Sequence, residues 1–126
     1  MKDIVHTDEA PEAVGAYSQA TTNGELVFTA GQIPLTPDGE LRDEASVTEQ
    51  TELALSNLKA VLAEAGAEPT DVLKTTVFLA DIDDFDEMNA AYANFFDSEP
   101  PARSAVQAGA LPKGVAVEIE AVASIE

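Results

Sequence analysis

The sequence predicts an α+β fold, a mixed sheet with two helices packed on one of its faces. Three observations predict it. Segments rich in β-branched residues alternate with two stretches of helical periodicity, an Asn-Gly pair separates two short extended segments, and two more extended segments follow Pro100-Pro101. The resulting order, β-β-β-α-β-α-β-β, groups the helices on one side of a sheet.

Residues 2–6 read as a short first strand. Residues 16–22 and 25–30 flank Asn23-Gly24 and read as a hairpin, because Asn-Gly supplies the positive φ values of a type I′ turn. Pro34 to Gly39 is turn-rich and ends in Pro-Asp-Gly. Ser46 with Glu49 three residues on is a capping-box pattern. Leu53, Asn57, Leu58, Val61, Leu62 and Ala65 then recur at helical spacing, and Gly66 is a natural stop. Asn57 is the polar break in that stripe. Residues 72–80 are rich in β-branched side chains and form a strand. Asp83, Asp84, Asp86 and Glu87 crowd the start of a second helix, where the positive end of the helix dipole favours them. Phe85, Met88, Ala91, Tyr92, Phe95 and Phe96 give that helix its inner face, and Pro100-Pro101 end it. Residues 102–108 and 115–125 are the last two strands, joined through a short Leu-Pro-Lys-Gly link.

A chain of 126 residues with 45% apolar content is expected to form one domain, residues 1–126, with a real core. The absence of cysteine excludes disulfides, thiol catalysis and zinc-thiolate sites. No apolar run approaches the roughly 18 residues that cross a bilayer. The opening stretch, MKDIVHTDEAPEA, lacks the apolar core of a signal peptide, so a cytoplasmic location is expected. The net charge is −18, against an ordinary magnitude of about 2–8 for a small domain. Such a surface repels nucleic-acid phosphates and anionic membranes, and neither is expected as a partner. The carboxylates are scattered along the chain, which fits a halophilic protein from a salty cytoplasm; an ordinary acidic protein is the alternative.

Arg103 is one of two arginines and lies in an apolar stretch just before a strand that carries Glu118 and Glu120. A lone guanidinium in such a setting points to an anion-binding pocket with an acid/base group beside it. In a strand, Arg103, Ala105 and Gln107 share one face, as do Ala116, Glu118 and Glu120. If the two strands lie near each other, Arg103 can meet Glu118. The pair is then either a substrate clamp with a water-positioning carboxylate, or a cross-strand ion pair that ties the sheet. Tyr17 is either a pocket wall or a core or interface tyrosine. His6 is the only histidine, cannot form a His-based metal site and shows no partner in the sequence. Gly109 to Gly114 fails as a phosphate loop, because Val115-Ala116 stand where Lys and Ser/Thr are needed. The acidic run from Asp81 to Glu87 lacks the central glycine of a calcium loop and reads as helix capping. No metal site is expected.

Six segments together resemble the Rid family of reactive intermediate deaminases, also called YjgF, and its RidA branch in particular. They are GAYSQA at 15–20, FTAGQIP at 28–34, TELALSNLKAVLAEAGA at 51–67, KTTVFLADIDDFDEMNAAYANFF at 74–96, PARSAV at 101–106 and LPKGVAVEIEAVA at 111–123. The resemblance covers nearly the whole chain, in order. It implies a chorismate-mutase-like fold and a homotrimer whose sheets form a central barrel, with active sites in clefts between subunits. It also implies hydrolysis of 2-imino acids, such as 2-iminobutanoate and 2-iminopropanoate, to 2-keto acids and ammonia without metal or organic cofactor. Those imines are products of pyridoxal-phosphate-dependent dehydratases. Carried over by position, Arg103 matches the arginine that binds the substrate carboxylate, and Glu118 the glutamate that positions the attacking water. Tyr17 matches a tyrosine lining the cleft, Gly31 a glycine whose backbone amide faces the substrate, and Asn89 a position on the pocket rim. Two positions depart from the pattern: Ala30 stands where relatives often carry Ser, and Ala105 where they often carry Cys. The backbone at Ala105 keeps the implied substrate contact, while the loss of a hydroxyl at position 30 bears on substrate preference. The alternatives are a chaperone-like or metabolite-binding relative without turnover, which would not need Glu118, and RNA cleavage, which the missing basic patch opposes.

Overall fold

The computed structural model describes residues 1–125. Six strands and two helices follow the expected order: β1 (Asp3–Val5), β2 (Ala20–Thr22), β3 (Leu26–Thr29), α1 (Val47–Ala65), β4 (Val72–Leu79), α2 (Phe85–Phe95), β5 (Ala102–Gln107) and β6 (Val117–Ser124). They form one sheet in the order β1-β2-β3-β6-β4-β5, antiparallel throughout except that β5 runs parallel to β4. Among the described residues no helix is long and apolar enough to cross a membrane.

Alternation along the strands decides which face is covered. Val117, Ile119, Ala121 and Ala123 of β6 are buried, and so are Thr75, Val77 and Leu79 of β4. The helices lie on this face, with α1 against β6 and β3 and α2 against α1. The opposite face carries Ile4, Phe28, Phe78, Glu118, Glu120 and Val106, and no element among the described residues covers it. Ile4, Phe28 and Val106 remain 61%, 51% and 44% exposed, so a substantial apolar surface is left in solvent.

Helix α1 begins and ends as expected. Ser46 Oγ accepts from the Glu49 amide at 3.1 Å, and Gly66 closes the helix at φ 92°. The Glu49 carboxylate meets the Ser46 hydroxyl rather than completing a full capping box. The buried stripe is broader than apolar spacing suggested. It runs through Gln50, Thr51, Ala54, Leu55, Asn57, Leu58, Val61 and Leu62, while Leu53 sits at its margin. Before α2, one turn of 3-10 helix spans Ile82–Asp84, and the Asp81 carboxylate accepts from the Asp83 amide at its start. The acidic run therefore does cap backbone, and no cluster of metal-ligating side chains occurs among the described residues.

Three expectations are corrected. The Asn23-Gly24 turn is not type I′, since Gly24 has φ 94° but Asn23 is not left-handed. Asn23 Oδ1 instead accepts from the amides of Glu25 and Leu26, both at 2.9 Å, and stabilises a longer connection than a two-residue turn. His6 is not without a partner, because its Nε2 lies 2.9 Å from Glu12 Oε1, and this hydrogen bond raises its pKa. Most consequentially, β5 and β6 are not neighbours, because β4 lies between them.

Buried amide side chains hold the loops to this frame. Asn57 Nδ2 donates to the carbonyls of Ile33 and Leu35, at 3.1 and 2.8 Å. Gln50 donates to the carbonyls of Asp43 and Ala45 and accepts from the Ala116 amide. Gln19 accepts from the Thr7 amide and donates to the carbonyls of Thr7 and Pro11. Asn57→Leu keeps bulk in the stripe but takes the Asn57 donor from both carbonyls, of which Ile33 keeps only the Leu35 amide. Urea unfolding should show a loss of about 1–3 kcal/mol, with increased amide exchange in residues 33–41.

Candidate functional site

The sequence-predicted site residues fall into two groups on opposite faces of the sheet. Arg103 pairs in register with Thr75 on β4, and Glu118 pairs with Phe78. Thr75 and Phe78 are an odd number of residues apart along one strand, so their side chains point to opposite faces. The intrachain meeting of Arg103 with Glu118 is therefore excluded, both as ion pair and as clamp.

The cationic group is built by β5 and α2. The Arg103 guanidinium carbon lies 4.6 Å from the centroid of the Tyr92 ring and 5.3 Å from that of Phe85. Its Nη1 donates to Asn89 Oδ1 at 2.7 Å. Among the described residues no carboxylate pairs with it. A guanidinium held by π faces and one amide keeps most of its N–H donors for an incoming anion. Ala105 lies two residues on, on edge strand β5, whose outer backbone has no strand partner.

The acidic group lines a cleft of about 530 Å³ with Tyr17, Gly31, Lys113 and Glu118 among its walls. A break in strand pairing makes room for it. Phe28 pairs with Val122 and Gln32 with Ile119, so residues 29, 30 and 31 oppose only 120 and 121. This is a bulge of one extra residue, of the kind that re-aims side chains beside functional sites. Thr29 Oγ1 takes the Ala121 amide at 2.9 Å and so satisfies a donor that the bulge would orphan.

The bulge brings Gly31 over the Glu118 side chain. A Cβ at Gly31 would lie 2.8 Å from Glu118 Cδ and would also collide with the carboxylate oxygen Oε2. The absence of a Cβ here is what lets the Glu118 side chain lie where it does, and backbone angle plays no part. Burial pushes the Glu118 pKa up, and the neighbouring Glu120 charge adds to the rise. Tyr17 is 54% exposed, which identifies it as a cleft wall and not a core residue. Ala30 lines the same cleft, with Ile33 and Leu35 as its apolar floor.

Sequence reasoning missed Thr29, Lys113 and Glu12. Thr29 acts only through the bulge, which no local pattern announces. Lys113 is a left-handed residue at φ 58° that places a cation in the cleft. The signal available was a lone lysine between Pro112 and Gly114, directly before the strand of Glu118. Glu12 lines the cleft while bonded to His6.

Comparison with known proteins gives the family. A family model described as Endoribonuclease L-PSP matches residues 7–125. This chain belongs to the Rid (YjgF/L-PSP) family. A RutC family protein of Pyrococcus abyssi is 44% identical over 97% of this chain and 96% of its own length. TdcF of Escherichia coli K12, provisionally named a reactive intermediate deaminase, is 46% identical over 98% of this chain and 97% of its own. The crystal structure of E. coli TdcF with bound serine superposes with a TM-score of 0.92, at 44% identity over 97% of this chain and 98% of that one. The E. coli YjgF structure gives 0.93 at 41% identity, covering 98% and 99%. The α+β, chorismate-mutase-like fold expected from the sequence is therefore the fold observed.

The Glu118 shift makes a signed prediction. A carboxylate whose folded pKa is raised is destabilising once ionised, so the cost appears as pH rises through the unfolded and then the folded value. Glu118→Gln should melt above wild type at neutral pH. The gap should close below about pH 4, as read by thermal denaturation across the range.

Proposed function

We propose that this chain is a subunit of a 2-imino acid deaminase, hydrolysing substrates such as 2-iminobutanoate and 2-iminopropanoate to 2-keto acids and ammonia. One observation carries the reading: an uncompensated, ring-stacked guanidinium, Arg103, coexists with a cleft carboxylate of raised proton affinity, Glu118. The provisional name of TdcF and its structure with bound serine support the substrate class. Serine, like a 2-imino acid, places a carboxylate next to a nitrogen-bearing carbon.

The two groups lie on opposite faces, so a complete site needs a second copy. We infer the homotrimer that the family resemblance implies, with the uncovered sheet faces joined and the β5 edge of one copy set against the Glu118 cleft of the next. The exposed Ile4, Phe28 and Val106 supply apolar surface for that contact.

In this arrangement Arg103 takes the substrate carboxylate through paired N–H donors. Asn89 braces the rim, and backbone at Ala105 and Gly31 fixes orientation. Tyr17 walls the cleft. Water held by Glu118 adds to the C=N carbon, and Glu118 takes one water proton and passes it to the nitrogen, which regenerates its carboxylate. The carbinolamine then collapses to C=O and releases ammonia. The sum is one imine plus one water giving one keto acid plus one ammonia. It needs no oxidant, reductant or metal, because the substrate is already reactive and positioning is the main demand. The raised Glu118 pKa suits a group that must accept a proton near neutrality. Pyridoxal-phosphate-dependent dehydratases release such imines, so we place the protein beside them in the cytoplasm.

A second reading, ligand binding without turnover, draws on the same separation, since one subunit alone holds Arg103 and Glu118 apart. RNA cleavage is the weaker reading, because a net charge of −18 opposes a phosphate backbone. We also read that charge as halophilic. At about 1 M salt the Debye length is near 3 Å, so distant carboxylates no longer repel an anionic substrate from Arg103.

The test is keto-acid release from 2-iminobutanoate generated in situ by a threonine dehydratase, with semicarbazide as competing trap, in molar potassium chloride. Arg103→Ala should lower kcat/KM by about 100-fold or more, and Glu118→Gln by about 100- to 10,000-fold. Full activity in both variants would overturn the assignment; loss in Glu118→Gln with keto-acid binding intact would exclude the pure binder. Wild-type activity should survive, or need, molar salt, and best activity in dilute buffer would count against the halophilic reading.

A further inference from the structure

We propose that Tyr92 is a positioning residue for Arg103: clamped by Thr75, its ring is the platform that keeps the guanidinium's free N–H edge turned outward. The proposal rests on the reading of Arg103 as the carboxylate-binding residue.

The contacts form a closed circuit. Arg103 and Thr75 are register partners on adjacent strands. The Thr75 and Tyr92 hydroxyl oxygens are 2.6 Å apart, either one donating. Thr75 is 0% and Tyr92 3% exposed, so no solvent competes for that bond. The Tyr92 ring returns to Arg103 at 4.6 Å, and Phe96 backs it at a centroid distance of 4.8 Å. The neighbouring strand β4, in register with the strand that carries the arginine, thus fixes the ring on which the arginine rests.

The choice of partners matters as much as their geometry. A carboxylate beside Arg103 would order it equally well but would spend its charge. Tyr92, Phe85 and Asn89 order it without an opposing charge. Asn89 takes a single N–H, and the remaining donors are those a planar carboxylate can engage in pairs. An arginine otherwise free to rotate would have to be ordered by the ligand itself, and that cost would appear as weaker binding. The hydroxyl bond keeps the ring from tilting under its load, so cutting that bond should weaken ligand binding even though the ring remains.

The experiment uses the assembled protein and 2-oxobutanoate as probe. Its Kd is measured by calorimetry for wild type, Tyr92→Phe, Thr75→Val, Tyr92→Leu and Arg103→Ala, with Tm recorded for each and kcat and KM for the imine. Tyr92→Phe and Thr75→Val should each raise Kd about threefold. The double variant should be no worse, because both cut one bond. Tyr92→Leu should raise Kd about tenfold, with KM moving in parallel and kcat within about twofold. If the leucine variant fails to fold, the two hydroxyl deletions decide. Unchanged Kd in both, with binding lost in Arg103→Ala, overturns the role of Tyr92 and leaves the carboxylate site standing; lowered Tm alone would mark the pair as structural. Unchanged Kd in Arg103→Ala overturns the carboxylate site itself, and the role of Tyr92 with it.

Discussion

Two helices lie on one face of this six-stranded sheet, and none of the described residues covers the other. From that asymmetry follow the buried alternation of β4 and β6, the exposure of Ile4, Phe28 and Val106, and the separation of Arg103 from Glu118. A strand cannot send neighbouring odd and even residues to the same side. The sheet therefore carries a cation on its covered face, near an edge, and a carboxylate on its bare face. A chemistry that uses both has to reach around the edge, which a second copy can do and a single chain cannot.

The loops around the cleft are held by amides more than by hydrophobic contact. Gln19, Gln50 and Asn57 are almost fully buried, yet each is bonded to backbone of a different loop. Buried amides are costly unless satisfied, and these are satisfied by backbone groups of the loops. The arrangement makes the cleft walls dependent on the core: Ile33 and Leu35 stand in place because Asn57 reaches them from α1. In a chain this rich in carboxylates, neutral hydrogen bonds also hold at ionic strengths that weaken ion pairs.

Much of the fold was legible because its signals are local. Ser46 and Gly66 bracket α1, the acid run caps the turn before α2, and β-branched residues mark β4. What was not legible depends on pairing at a distance. Nothing near residues 102–125 says that β4 will slot between the last two strands, and a short Leu-Pro-Lys-Gly link suggests the opposite. The stripe on α1 was drawn too narrow because Gln50 and Thr51 are polar and a count of apolar residues passes over them. Asn23-Gly24 has two ways to make a turn, and the side-chain carbonyl of Asn23 won over a left-handed backbone. As for the site, Arg103 stood out by rarity, Tyr17 was left between cleft and core, and Gly31 was marked only by family resemblance. The physical reason for Gly31, a carboxylate lying over it, emerges only when the bulge at residues 29–31 is seen.

That contact between Gly31 and Glu118 has a consequence for how such a chain can change over generations. A side chain at position 31 and a glutamate at 118 compete for the same volume, so the two positions are not free to drift independently. A side chain at 31 can enter only if the Glu118 side chain swings out of its place or residue 118 is shortened. Either way the carboxylate no longer lies where the glycine now lets it lie. A change at 31 therefore acts on the cleft through residue 118.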